Sequence, residues 1–187
     1  MIGRFASGLP AVGPAGPRSI NRAHSPLLAV GLPWLSVLAG SLLTLIPIAT
    51  AIPLLPPLGF LMLLGWRLVR PGLLPVWAGF PLGAFDDLFS GQPFGCGILL
   101  WSLTMLGIEA LEARFPWRGF WQDWAVAAFV IVAYLLSSAL FSGSRLSPAM
   151  LYALAPQVIV SIVLFPLLAR IVAGLDRIRL ARVRVLG

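Results

Sequence analysis

Six apolar runs, parted by arginines that cluster in every second gap, restrict this chain to one kind of fold. A helix of about 20 apolar residues crosses the hydrocarbon core of a bilayer. The runs cover approximately residues 27–46, 58–69, 73–87, 97–113, 121–141 and 149–171. They predict an all-α polytopic membrane protein with about six transmembrane helices. The second run is short for a span unless its ends extend into the flanking prolines. Between the first two runs, "PIATAIPLLPP" cannot continue a regular helix, because each proline removes a donor and crowds the preceding turn. Only 10% of the 187 residues are charged and 59% are apolar, whereas a soluble domain carries about 25% charged residues. Six spans consume most of the chain and exclude a separate globular catalytic head.

Every one of the thirteen basic residues is arginine. Arg4, Arg18 and Arg22 precede the first run, Arg67 and Arg70 separate the second from the third, and Arg114 and Arg118 separate the fourth from the fifth. Arg170, Arg177, Arg179, Arg182 and Arg184 gather at the end of the sixth, and only Arg145 falls in a gap of the other set. The positive-inside bias therefore predicts that both termini are cytoplasmic. Residues 1–26 are rich in Gly, Pro and Arg without helical periodicity, and read as a disordered cytoplasmic tail. Residues 27–173 form the six-helix membrane domain. Residues 174–187, "GLDRIRLARVRVLG", alternate apolar residues with arginine and are expected on anionic lipid of the inner leaflet. Basic charge in this setting records orientation and lipid contact rather than nucleic-acid binding. A signal peptide cleaved after "ATA" at 49–51 is disfavoured, because its apolar run would be about 20 residues where such regions have about 7–15.

Against this background two adjacent acids stand out, in "GAFDDLFSGQPFG" at residues 83–95. Gly79, Gly83 and Asp87 recur every fourth residue, so they share one helix face. Small residues at that spacing let a neighbouring helix approach closely, which turns Asp87 inward. Asp86 lies about 100° round the same helix. A metal-diphosphate site would need a third carboxylate where Ser90 stands. A proton or cation relay lacks further acids on a path across the membrane, since Glu109, Glu112 and Asp123 fall at the opposite side. The favoured reading is structural: the acids accept hydrogen bonds from the backbone of the "SGQPFG" turn and the start of the fourth helix. With Cys96 the only cysteine and His24 the only histidine, no intrachain disulfide or Cys/His zinc site can form, and no cofactor is expected. Glu109 and Glu112, at i,i+3, read with Arg114 and Arg118 as a solvated, salt-bridged helix end, with the deeper Glu109 a candidate partner contact. Trp117, Trp121 and Trp124 read as an interfacial aromatic belt. Phosphate-loop, serine-hydrolase and metalloprotease signatures are lacking.

The stretch "GAFDDLFSGQPFG" resembles the signature of the MreD family of rod shape-determining proteins. Gly83, Asp87, Leu88, Ser90, Gly91, Pro93 and Gly95 match the family pattern, and Asp86 falls on a variable position. "GWRLVRP" and "FPLLARI" also look like the family, whereas the long Pro/Gly-rich N-terminal tail departs from it. The resemblance implies a non-enzymatic, multi-pass subunit of the bacterial inner membrane that takes part in the elongation machinery. It implies association with an MreC-like single-span scaffold, through it with a peptidoglycan polymerase and transpeptidase, and indirectly with the MreB filament. The family's fold is thought similar to the substrate-binding components of energy-coupling vitamin transporters, which supplies a second class of function, small-molecule binding. An intramembrane enzyme ranks third, for want of a nucleophile–base or metal constellation.

Overall fold

A computed structural model describes residues 26–45, 55–115 and 119–180. The expected N-terminal tail, most of the Pro-rich turn, Trp117, Arg118 and residues 181–187 lie outside these segments. Six α-helices follow in order: α1 (Pro26–Leu43), α2 (Leu58–Val69), α3 (Gly79–Phe89), α4 (Cys96–Arg114), α5 (Phe120–Phe141) and α6 (Pro148–Arg179). A single 3₁₀ turn, Val76–Ala78, leads into α3. The described residues contain no strand.

The helices differ in their reach. By length and apolar composition α4, α5 and α6 can each cross a membrane, while the apolar stretches Val30–Leu43 and Leu58–Val69 are shorter. The 12 residues of α2 span about 18 Å. This shortness has a packing reason, because every residue from Gly59 to Leu68 is buried. A helix that is apolar all round belongs inside a bundle, and α2 is the central post against which α1 and α6 chiefly lean. Its close neighbours meet it at small residues. A Cβ at Gly40 would lie 3.0 Å from the Gly59 Cα, and one at Gly65 would lie 3.2 Å from a methyl of Val172. Polar ties complete the contacts: the Trp66 indole N–H donates to Ser36 Oγ at 2.8 Å, and Gln157 Nε2 donates to the Leu55 carbonyl at 2.7 Å.

The last helix is longer than its apolar run. It begins at a Ser147 cap, whose hydroxyl accepts from the Met150 N–H at 3.2 Å, and continues past Ile171 and Gly174 to Arg179. The start of the stretch read as an interfacial tail is thus helix. Its Asp176 is buried and receives Arg70 Nε at 2.6 Å and Arg179 at 3.1 Å, and these pairs hold the added turns against the end of α2. Among the tryptophans, Trp121 is exposed, but Trp124 is partly buried and donates to the Ile162 carbonyl at 3.3 Å, tying α5 to α6.

Candidate functional site

The signature stretch forms a hairpin of two helices closed by one carboxylate. Helix α3 ends at Phe89, Gly91 and Gly95 take positive φ of 69° and 99°, and α4 starts at Cys96. Only glycine adopts such φ values without a steric cost, so the reversal needs glycine at both positions. The first N–H groups of any helix lack intrahelical acceptors. Here Asp87 supplies them: Oδ1 accepts from Gly97 N–H at 2.6 Å, while Oδ2 accepts from Gly95 N–H at 2.8 Å and Ile98 N–H at 3.2 Å. A carboxylate on a helix N-terminus is also favoured by the helix dipole. Asp87 is 6% exposed, so water offers those donors little alternative.

The two backbones meet at the glycine face. A Cβ added at Gly79 would lie 2.8 Å from the Trp101 carbonyl oxygen, and one at Gly83 2.5 Å from that of Gly97. Gly97, which sequence reasoning did not single out, is under the same constraint, because a Cβ there would lie 2.6 Å from Asp87 Oδ1 and 2.9 Å from the Gly83 carbonyl oxygen. Its signal was present as the second glycine of "GCG", the first helical turn after the motif. Gly83→Leu cannot be accommodated without parting α3 from α4. It is expected to cost at least about 1–3 kcal/mol through overpacking, read as lower membrane abundance and a lower unfolding temperature in detergent. Wild-type values for both would show that the two helices do not touch at Gly83.

Asp86 faces elsewhere. It is buried at 6% exposure beside the hydroxyl of Ser41 on α1, on the interior side of the hairpin. Of the remaining motif residues, Ser90 caps the end of α3 and donates its backbone N–H to the Asp86 carbonyl, and Pro93 accepts from Cys96 N–H at 3.0 Å inside the turn. Among the described residues no group of three His, Cys, Asp or Glu side chains is placed to hold a metal ion.

At the opposite end of the bundle the structure corrects the reading of Glu109 and Glu112. Glu109 is exposed, as a solvated helix end requires, but the ion pairs run across to α2. Both carboxylates reach Arg67, Glu112 at 2.7 Å and Glu109 in an even closer contact. Arg67 is likewise not a loop residue, since it lies in the last turn of α2 and is 1% exposed. The physical reason is position: "LLGWRLV" places Arg67 inside an apolar helix that the bundle surrounds, where a guanidinium must find carboxylates. Glu109 is therefore an internal ion-pair partner, although its side chain remains half exposed. Arg67 with Glu109 and Glu112, and Arg70 with Asp176, together tie α2 to α4 and α6.

Two features thus define the candidate site: a carboxylate-closed α3–α4 hairpin at one end of the bundle and an arginine–carboxylate lattice at the other. Comparison with curated proteins and with solved structures returned no match. The family model of the rod shape-determining protein MreD matches residues 27–178. That span holds every described helix except the first residue of α1 and the last of α6, together with the hairpin and both ionic ties, and so this chain belongs to the MreD family of rod shape-determining membrane proteins.

Proposed function

We propose that this protein is a non-enzymatic, six-span subunit of the bacterial inner membrane with both termini in the cytoplasm. It supports lateral peptidoglycan synthesis by associating with an MreC-like bitopic scaffold. Polymerase and transpeptidase are reached through that scaffold, and the MreB filament indirectly. The observation that carries this reading is the family match across the whole membrane domain. The geometry is consistent with a scaffold-bound subunit, because Asp87 is fully engaged by backbone donors and the glutamates by Arg67. The arginine-rich end of the bundle, with Arg67, Arg70, Arg114, Arg177 and Arg179, faces the cytoplasm in this arrangement, and the segment beyond Arg179 rests on anionic lipid.

Orientation has its own test. Reporter fusions are expected to place residues 1–25, the 114–119 loop and the C-terminal tail in the cytoplasm, and the loop at 143–147 outside. A reporter active outside the cell at the C-terminus would overturn the topology. Function is tested by depletion: cells losing this protein are expected to round up and to recover rod shape when it is restored. Normal rods after full depletion would contradict the proposal.

A further inference from the structure

A groove of about 750 Å³ runs between α4 and α5, on faces that neither the Asp87 cap nor the arginine–carboxylate lattice uses. Leu100, Gly107 and Leu111 line it from α4, and Ala125, Phe129 and Ala133 from α5. The α5 residues recur every fourth position and the α4 residues every seventh or fourth, so each set is one helix face. Gly107 sets this groove apart from the glycine face of α3. A Cβ at Gly79, Gly83 or Gly97 would strike backbone or Asp87, whereas one at Gly107 would meet nothing within 4 Å. Glycine weakens a helix interior relative to alanine, and no contact within the chain requires it here. An occupant that comes close to the α4 backbone does.

The ends of the groove say what that occupant is. One turn beyond Leu111 on the same face stands Arg114, which is exposed and forms no ion pair among the described residues. One turn before Ala125 on α5 stands Trp121, 74% exposed. A cation and an indole at the mouth of an apolar groove match the headgroup level of a bilayer. Length points the same way. From Ala125 to Ser137 the lining covers 12 steps of helix, about 18 Å. That is close to one leaflet, half of a hydrocarbon core of about 30 Å, and well short of what a spanning helix would cover. We propose that the α4–α5 groove binds one anionic phospholipid of the leaflet on the arginine side, with an acyl chain over Gly107 and the phosphate on Arg114. This site is separate from the C-terminal arginines, and it rests on membrane embedding alone rather than on association with a scaffold.

Native mass spectrometry of the full-length protein, stripped of lipid in detergent, tests this with phosphatidylglycerol and phosphatidylcholine of identical chains. Wild type is expected to hold one phosphatidylglycerol about fivefold more tightly than phosphatidylcholine, the preference that one arginine near a headgroup supplies. Arg114→Gln should erase the preference and leave the chain-dependent binding. Gly107→Leu fills the groove and should remove the retained molecule of either lipid, while its unfolding temperature in lipid-free detergent stays equal or rises, since the added side chain enters open space. Millimolar inorganic phosphate, which has no chain, should not displace the lipid. Equal retention of the two lipids by wild type, or displacement by phosphate, would overturn the proposal. So would a preference that survives both substitutions, which would place the lipid at the C-terminal arginines. A groove that retains no lipid, with Gly107→Leu instead losing a co-purifying single-span protein, would also overturn it and make the groove a helix-docking face.

Discussion

Asp87→Leu is expected to abolish rod-shape complementation and to lower the amount of protein in the membrane. The side chain accepts three backbone hydrogen bonds, from Gly95, Gly97 and Ile98, and all three donors begin α4 or the turn before it. Leucine leaves them without acceptors in a region where the carboxylate is almost wholly shielded from water. Each stranded buried donor costs about 1–3 kcal/mol, so their loss together approaches the whole stability of a typical domain of about 5–15 kcal/mol. Asparagine is the informative comparison. On sequence grounds it keeps much of the geometry, but the structure narrows that margin because both carboxylate oxygens are in use. An Asn oxygen can serve Gly97 or the Gly95 and Ile98 pair, while its amide N–H₂ faces the remaining donor. The expected order of membrane abundance and of shape rescue is Asp87, then Asn, then Leu. Asp86→Asn, which disturbs no such cap, is expected to stay near wild type in both. If Asp87→Asn were as abundant as wild type yet left cells round, the negative charge rather than the hydrogen bonds would be its contribution.

Arg67→Met is expected to be nearly as damaging, for an electrostatic reason. Removing one member of a buried ion pair leaves the partner charge uncompensated, at about 3–5 kcal/mol. Here Glu112 keeps a largely buried carboxylate facing an apolar side chain, while the half-exposed Glu109 retains some water. The triple change Arg67→Met with Glu109→Gln and Glu112→Gln removes all three charges and is expected to recover a substantial part of the loss. Arg67→Lys should fall between, since an ammonium offers a point charge where the guanidinium forks to two carboxylates. The readout is the unfolding temperature of the purified protein in detergent. A single Arg67→Met protein as stable as wild type would show that the lattice contributes nothing to the fold.

How much of this was legible in the sequence depended on whether a residue's partner was local. The six helices follow from apolar run length, and the glycine face of α3 from its four-residue period, because both are properties of one helix. The cap at Asp87 was also readable, since its donors lie only eight to eleven positions along the chain. Arg67 was misread because counting arginines by gap assigns it to a loop, while its carboxylates stand more than forty residues away on α4. Leu68 and Val69, which follow it, were the signal that it still lay inside an apolar helix. The extension of α6 depended in the same way on Asp176 meeting Arg70, which is 106 positions distant. Trp101 and Tyr134 are indistinguishable in sequence from membrane-belt aromatics. Only the packing of α4 and α5 around Phe60 buries them.

The proposed role of the carboxylate-closed bundle is that of a scaffold-bound subunit of the wall-elongation machinery. Affinity purification of the tagged, full-length protein from its native membrane in mild detergent, with identification of what accompanies it, tests this most directly. A single-span protein with a large domain outside the cytoplasm, accompanied by wall-synthesis enzymes and reduced in yield by Gly83→Leu, is the predicted result. Recovery of an ATPase module with a coupling membrane subunit, and no such scaffold, would contradict it and assign the chain to solute uptake.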